Sequence, residues 1–214
     1  MNAIEVLKAR LPNGNKVQAE LVYDPDADSP REWANLGTIL VSPNKSHWIA
    51  SASPDGVVDT SIPLGKNPYE HWDNIRREQL KLKKSDIAIA YPITKYEHGE
   101  ISLQLGYKSG WDYTVSGFVY VTKETLRKEY GVTRITKSVI ARAESCLQDE
   151  LDTLTRWLNG HCYGWQIKEY AITDDGLDWE EVDVLDACWG YFDQDYAFGS
   201  MKDALNYLAP NQNP

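Results

Sequence analysis

Val17, Ala19, Leu21 and Tyr23 interleave with Gln18, Glu20 and Val22, a period-two pattern that predicts a strand with one mostly apolar face. The run from Ile4 to Leu11 joins it across Asn13-Gly14, a dipeptide that favours the turn between antiparallel strands. Residues 24–29 read as a loop and residues 37–41 as a short third strand. Residues 42–68, rich in Ser, Pro, Asn and Gly, predict a surface connection long enough to carry function or motion of its own. Asn67, Pro68 and Glu70 then form a helix start, supplying a cap, a preset first position and a capping-box carboxylate. Tyr69, Trp72, Ile75 and Leu82 share one face of that helix, and Lys81, Lys83 and Lys84 answer its C-terminal dipole.

Strands are expected at 87–96, 101–105 and 117–121, with Glu97-His98-Gly99 as a turn and a short helix from Lys123 to Tyr130 ending at Gly131. The longest element spans about 136–158, where Ile140, Ala143, Leu147, Leu151, Leu154 and Leu158 recur at helical steps as one apolar stripe. Asn159-Gly160 ends it with a left-handed cap. Two strands follow at 163–172 and 182–192, divided by an acidic loop, then a closing helix at 200–208. The pattern predicts an α+β fold, a largely antiparallel sheet packed against one long amphipathic helix with shorter helices. With no repeat and no break in composition, residues 1–209 read as a single domain and 210–214 as a frayed C-terminal tail.

Charge changes the picture more by position than in total. The net charge is −10, yet residues 61–140 carry thirteen bases against nine acids, and residues 141–214 fifteen acids against four bases. Eight tryptophans and thirteen tyrosines stand against three phenylalanines, a bias toward rings with a polar tip that suit interfaces as well as cores. The three cysteines have no framework spacing, so reduced thiols in a cytosol fit better than a secreted disulfide scaffold. No signal peptide and no apolar run of about 20 residues is present, which predicts a cytoplasmic protein without membrane contact.

The densest chemistry is the acidic run. Asp174, Asp175, Asp178, Glu180, Glu181, Asp183 and Asp186 surround Trp179, with no base between Lys168 and Lys202. It reads three ways: a solvated hairpin tip, a surface for a basic partner or a mimic of nucleic-acid phosphate, or oxygen ligands for a divalent cation. The cation reading lacks the EF-hand spacing, and so does Asp24-Pro-Asp-Ala-Asp28, where Ser29 and Asn35 replace the turn glycine and the bidentate glutamate. Arg76, Arg77, Lys81, Lys83 and Lys84 beside His71 and Trp72 could touch phosphates, or serve only their own helix end. Nucleic-acid binding is disfavoured by the net charge of −10.

No nucleophile elbow, phosphate loop or HExxH is present. His161 and Cys162 point to opposite faces of a strand, Cys188 reads as a small buried apolar residue, and the three have no paired zinc spacing. Glu97 and His98 could do acid–base work from a turn, where a histidine is usually just exposed. No cofactor or metal is expected.

Several ordered segments carry a resemblance: residues 29–38 (SPREWANLGT), 96–99 (YEHG), 117–124 (GFVYVTKE) with 128–131 (KEYG), 157–164 (WLNGHCYG) and 188–190 (CWG). Together they resemble a family of proteins from bacteriophages, prophages and other mobile elements. The resemblance implies an accessory protein acting in the bacterial host cytosol and brings no activity with it. Relatives tend to carry Cys-Pro-Trp-Asp where this chain has Ser109-Gly110-Trp111-Asp112, a shorter acidic hairpin, and little beyond the Cys-Trp-Gly segment. The expected function is a non-enzymatic binding protein acting on a host protein or defence complex through an acidic, aromatic-rich surface at Asp174, Asp175, Asp178, Trp179, Glu180, Glu181 and Asp183. The alternative is a small enzyme or nucleic-acid-modifying protein whose site assembles from His98, Asp112, His161 and Cys188.

Overall fold

The structure, a computed structural model, describes residues 3–43 and 55–210. Along them run β1 (Ala3–Arg10), β2 (Lys16–Tyr23), β3 (Thr38–Val41), α1 (Pro68–Glu78), β4 (Ile87–His98), β5 (Glu100–Leu105), β6 (Tyr113–Thr122), α2 (Lys123–Tyr130), α3 (Lys137–Leu158), β7 (Tyr163–Ile172), β8 (Trp179–Tyr191) and α4 (Gln194–Leu208). Every strand pair is antiparallel, so the α+β class holds. The strands form two four-stranded sheets, ordered β1-β2-β7-β8 and β3-β6-β4-β5, where the sequence suggested one. They belong to two compact units: one runs to Asp28 and resumes at Gly160, the other is Ser29–Asn159. No break in composition marks either crossing. Residues 44–54 of the 42–68 connection and residues 211–214 of the tail lie outside the described residues.

In the first unit the alternation does what it predicts. Val17, Ala19 and Leu21 of β2 join Tyr163, Trp165 and Ile167 of β7 in one apolar layer, closed by Ala197, Met201 and Leu205 of α4. That helix starts six residues earlier than its sequence suggests. Asp193 caps it by accepting the Tyr196 N–H at 2.9 Å, and packing of the apolar stripe overrides the helix-weakening Gly199.

The second unit has its sheet covered on both faces. Leu147, Leu151 and Leu154 of α3 pack with Ile39, Ile89, Ile93, Leu103, Val119 and Val121, each buried leucine contributing about 1.5–3 kcal/mol. On the other face Ile75 of α1 meets Leu40 and Phe118, with Trp72 beside them. Helix α1 stops at Glu78, so Leu82 and the three lysines lie beyond it, a correction caused by Lys81 turning into a positive φ of 56°.

The SPREWANLGT segment turns out to be an anchor. Ser29 caps a 3-10 turn by accepting the Arg31 N–H at 3.3 Å. Arg31, 3% exposed, bridges Glu150 of α3, Asp55 and the Gly37 carbonyl. Glu150 also accepts the Leu36 and Gly37 N–H groups at 2.6 and 3.2 Å. Gly37 is tightly packed: an added Cβ would lie 2.4 Å from Leu147 Cδ2, which would have to shift.

Both borders of this sheet are closed. On β5 the N–H groups of Ile101, Leu103 and Leu105 donate to Asn159, Thr155 and Gln148, side chains on or just past α3, at 2.9, 3.2 and 3.4 Å. On β3 the Ile39 N–H donates to Asp55 at 2.9 Å, and Val41 exchanges backbone bonds with Gly56 and Val58. Such covers prevent the unwanted strand pairing that an open edge invites.

Candidate functional site

Only Asp174, Asp175 and Asp178 of the acidic run sit in a loop. Strand β8 begins at Trp179, three residues before the predicted start, and the connecting turn is only Thr173–Asp178. Glu180, Glu181 and Asp183 therefore lie on a strand, where a dense charge run had disguised the period-two pattern. Register shifts against β7 at three places mark bulges, which twist and bend an edge strand.

The carboxylates are employed unequally. Asp175 holds the turn: it accepts from the Thr173 hydroxyl at 2.6 Å and the Leu177 N–H at 3.1 Å, and these bonds keep its carboxyl below the usual aspartate range. Asp178, Asp183 and Asp186 each accept the N–H of the following residue, at 2.8, 2.8 and 2.9 Å, and Asp24 accepts that of Gly190 at 3.1 Å. The Trp179 N–H faces away from β7, because the adjoining Thr173–Asp178 pair is the hydrogen-bonded one. The acids thus close part of their own strand's edge.

Glu181 pairs with Lys168 at 3.2 Å, and Lys168 also faces Glu20 at 3.6 Å. Burial pulls the Lys168 ammonium down in pKa, but the two carboxylates outweigh it and the net shift is upward. Gln18 and Gln166 donate to Glu20 at 2.6 and 3.0 Å and complete a polar network on the sheet face opposite α4. Asp174 and Glu180 are different: neither has a hydrogen-bond or ion-pair partner among the described residues.

Trp179 is not a bare anchor either. Lys16 Nζ sits 3.7 Å above its ring and the Arg10 guanidinium 5.7 Å from it, a cation–π cover that sequence reasoning missed. At the far end of β8 the Trp189 ring lies so close over Gly164 that a Cβ there would meet it at 2.0 Å. The exposed apolar groups near the tip are aliphatic: Leu177, 85% exposed, with Ile172, Val182 and Val184. A leucine between aspartates in a turn was the one sequence signal for them.

The other candidates disperse. Arg76 is buried and bonded to Asp73 at 2.7 Å, which removes it from any phosphate-binding row. His98 and Asp112 belong to the Ser29–Asn159 unit, His161 and Cys188 to the other, so neither unit holds the four-residue set. Among the described residues no three His, Cys, Asp or Glu side chains gather as metal ligands. A cleft of about 500 Å³ beside the start of α1 is lined by Asp59, Lys66, His71, Tyr107 and Tyr113 among others. The helix start there is already capped, since Asn67 accepts the Tyr69 and Glu70 N–H groups at 3.0 Å each.

The thiols differ sharply. Burial, with Asp24 nearby, pushes Cys162 up to about 11; burial and then Glu150 raise half-buried Cys146. Cys188 is exposed. Since the thiolate is the reactive form, a thiol reagent at pH 8 should modify about one equivalent quickly and the rest only on unfolding. Mass mapping that finds Cys162 labelled as fast as Cys188 would contradict the burial.

Fold and site together define an α+β protein with two antiparallel sheets and an acidic edge hairpin. Comparison with protein-family models, curated proteins and solved structures gives no match. No helix among the described residues is long and apolar enough to cross a membrane.

Proposed function

We propose that the chain is a non-enzymatic binding protein, a phage or mobile-element accessory protein that docks on a basic surface of a host protein or defence complex. The observation that carries this reading is the hairpin tip. There Leu177, 85% exposed, projects between Asp174 and Glu180, two carboxylates that no described residue neutralises. Fixed like charges steer a basic partner, and an exposed apolar side chain supplies contact energy once it is covered. The resemblance to phage proteins supports a bacterial partner. Among the residues first singled out, Asp175, Asp178, Asp183 and Glu181 are tied to the hairpin, so the contact falls to Asp174, Glu180 and Leu177, with Val182 and Val184 behind them.

The test is quantitative capture from bacterial lysate with three baits: wild type, Asp174→Asn/Glu180→Gln, and Leu177→Ser. A genuine partner should fall at least tenfold with the charge variant, and wild-type capture should weaken as salt rises. Partners retained equally by all three baits, with circular dichroism unchanged, remove the proposal. The enzyme alternative gains no observation within either unit.

A further inference from the structure

Two of the four sheet borders are closed, β5 by side chains on or just past α3 and β3 by residues 55–58, and a third, β8, is partly covered by its own carboxylates and bent by bulges. Strand β1 is the fourth. Leu11 donates to the Asn15 carbonyl at 2.9 Å, which makes that pair hydrogen-bonded and fixes the alternation behind it. By that alternation Val6 and Lys8 point their N–H and C=O groups away from β2. No described residue takes them up.

The two faces of this border differ. On the α4 side Ile4, Leu7, Ala9 and Leu11 form a half-buried apolar row along the rim of the core. On the other side stand Val6, Lys8 and Arg10, with Lys16 one strand in. A cationic stretch is conspicuous in a chain of net charge −10.

We propose that β1 is a strand-accepting edge for an extended segment of a partner protein in which apolar residues alternate with Asp or Glu. The backbone of Val6 and Lys8 supplies hydrogen bonds to the added strand, its apolar residues extend the Ile4–Leu11 row, and its acids face Lys8. A second copy of β1 fits less well. Pairing about a two-fold at Leu7 or Lys8 brings the two Lys8 ammonium groups diagonal or opposite, and like charges so placed repel. This surface lies on the opposite edge of the sheet from β8 and does not depend on the hairpin reading.

Fluorescence polarisation with a labelled ten-residue peptide alternating Val and Glu tests the proposal, with a Val/Lys peptide as control. The acidic peptide should bind and the basic one should not. Val6→Pro removes an outward N–H, keeps every charge and spares the β1–β2 ladder, so it should weaken binding at least tenfold. Lys8→Glu, which leaves the backbone intact, should weaken it similarly. Asp174→Asn/Glu180→Gln should bind the peptide like wild type, which separates this surface from the hairpin tip. The proposal is overturned if neither peptide binds at millimolar concentration, if both bind alike, or if folded Val6→Pro binds undiminished. Dimerisation through β1, seen by sedimentation and by a Lys8→Cys cross-link, would overturn it in favour of self-association.

Discussion

Arg31→Ala is expected to destabilise the Ser29–Asn159 unit by about 3–5 kcal/mol, the usual cost of removing one partner from a buried ion pair. The arginine side chain is 1% exposed and the guanidinium holds three groups from separate stretches of chain: Asp55, Glu150 and the Gly37 carbonyl. Truncation leaves two carboxylates, only 23% and 13% exposed, without their counter-charge. Arg31→Lys should recover little, because an ammonium cannot reproduce the planar fork that reaches three acceptors. Urea unfolding monitored by tryptophan fluorescence reads the difference. A change below about 1 kcal/mol would mean that the carboxylates relax into water, and the segment would lose its standing as an anchor.

Gly117→Ala should be nearly as damaging, at the upper end of the roughly 1–3 kcal/mol usual for overpacking. Gly117 sits in a central strand between Val41 of β3 and Ile93 of β4, and an added Cβ would lie 2.3 Å from the Leu40 carbonyl oxygen. The obstacle is backbone, so it can yield only by displacing β3. Gly164→Ala is the instructive contrast. Its Cβ meets the Trp189 ring at 2.0 Å, but that ring is 44% exposed and can swing away. The second substitution should therefore lower the melting temperature less than the first. The reverse order would show that Trp189 is held more firmly than its exposure implies.

Much of the architecture was legible because it obeys local rules. The Asn13-Gly14 hairpin, the Asn67 cap and the long apolar stripe all fall where period and capping chemistry place them; α3 starts within one residue of its expected N-terminus. The failures share a cause. The start of β8 was hidden because Glu180 and Glu181 read as solvent-loving loop, although on a strand they only need one wet face. The start of α4 was hidden because Gly199 weakens a helix, and only packing of Ala197, Met201 and Leu205 on the sheet offsets it. The candidate site was legible as a concentration of charge but not as a division of labour. Whether a carboxylate caps its neighbour's N–H, pairs with Lys168 or stays unpartnered depends on register and bulges, which composition does not encode. The SPREWANLGT string suggested family membership; its Arg31–Glu150 link, across more than a hundred residues, needed the fold to be seen.

The order in which the chain is made gives the nested arrangement a further meaning. β2 ends and β7 begins side by side, with the Asp24 N–H donating to the Cys162 carbonyl at 2.8 Å, yet the whole Ser29–Asn159 unit is translated between them. At about 5–20 residues per second, the β1–β2 hairpin leaves the ribosome on the order of 10 s before its main partner strand exists. The inner unit, whose strands and helices are all contiguous in sequence, can finish folding during that wait. The outer unit is then assembled last from the two ends of the chain, so nascent molecules stalled before Tyr163 should present an intact inner unit and an unsatisfied hairpin for chaperones to hold.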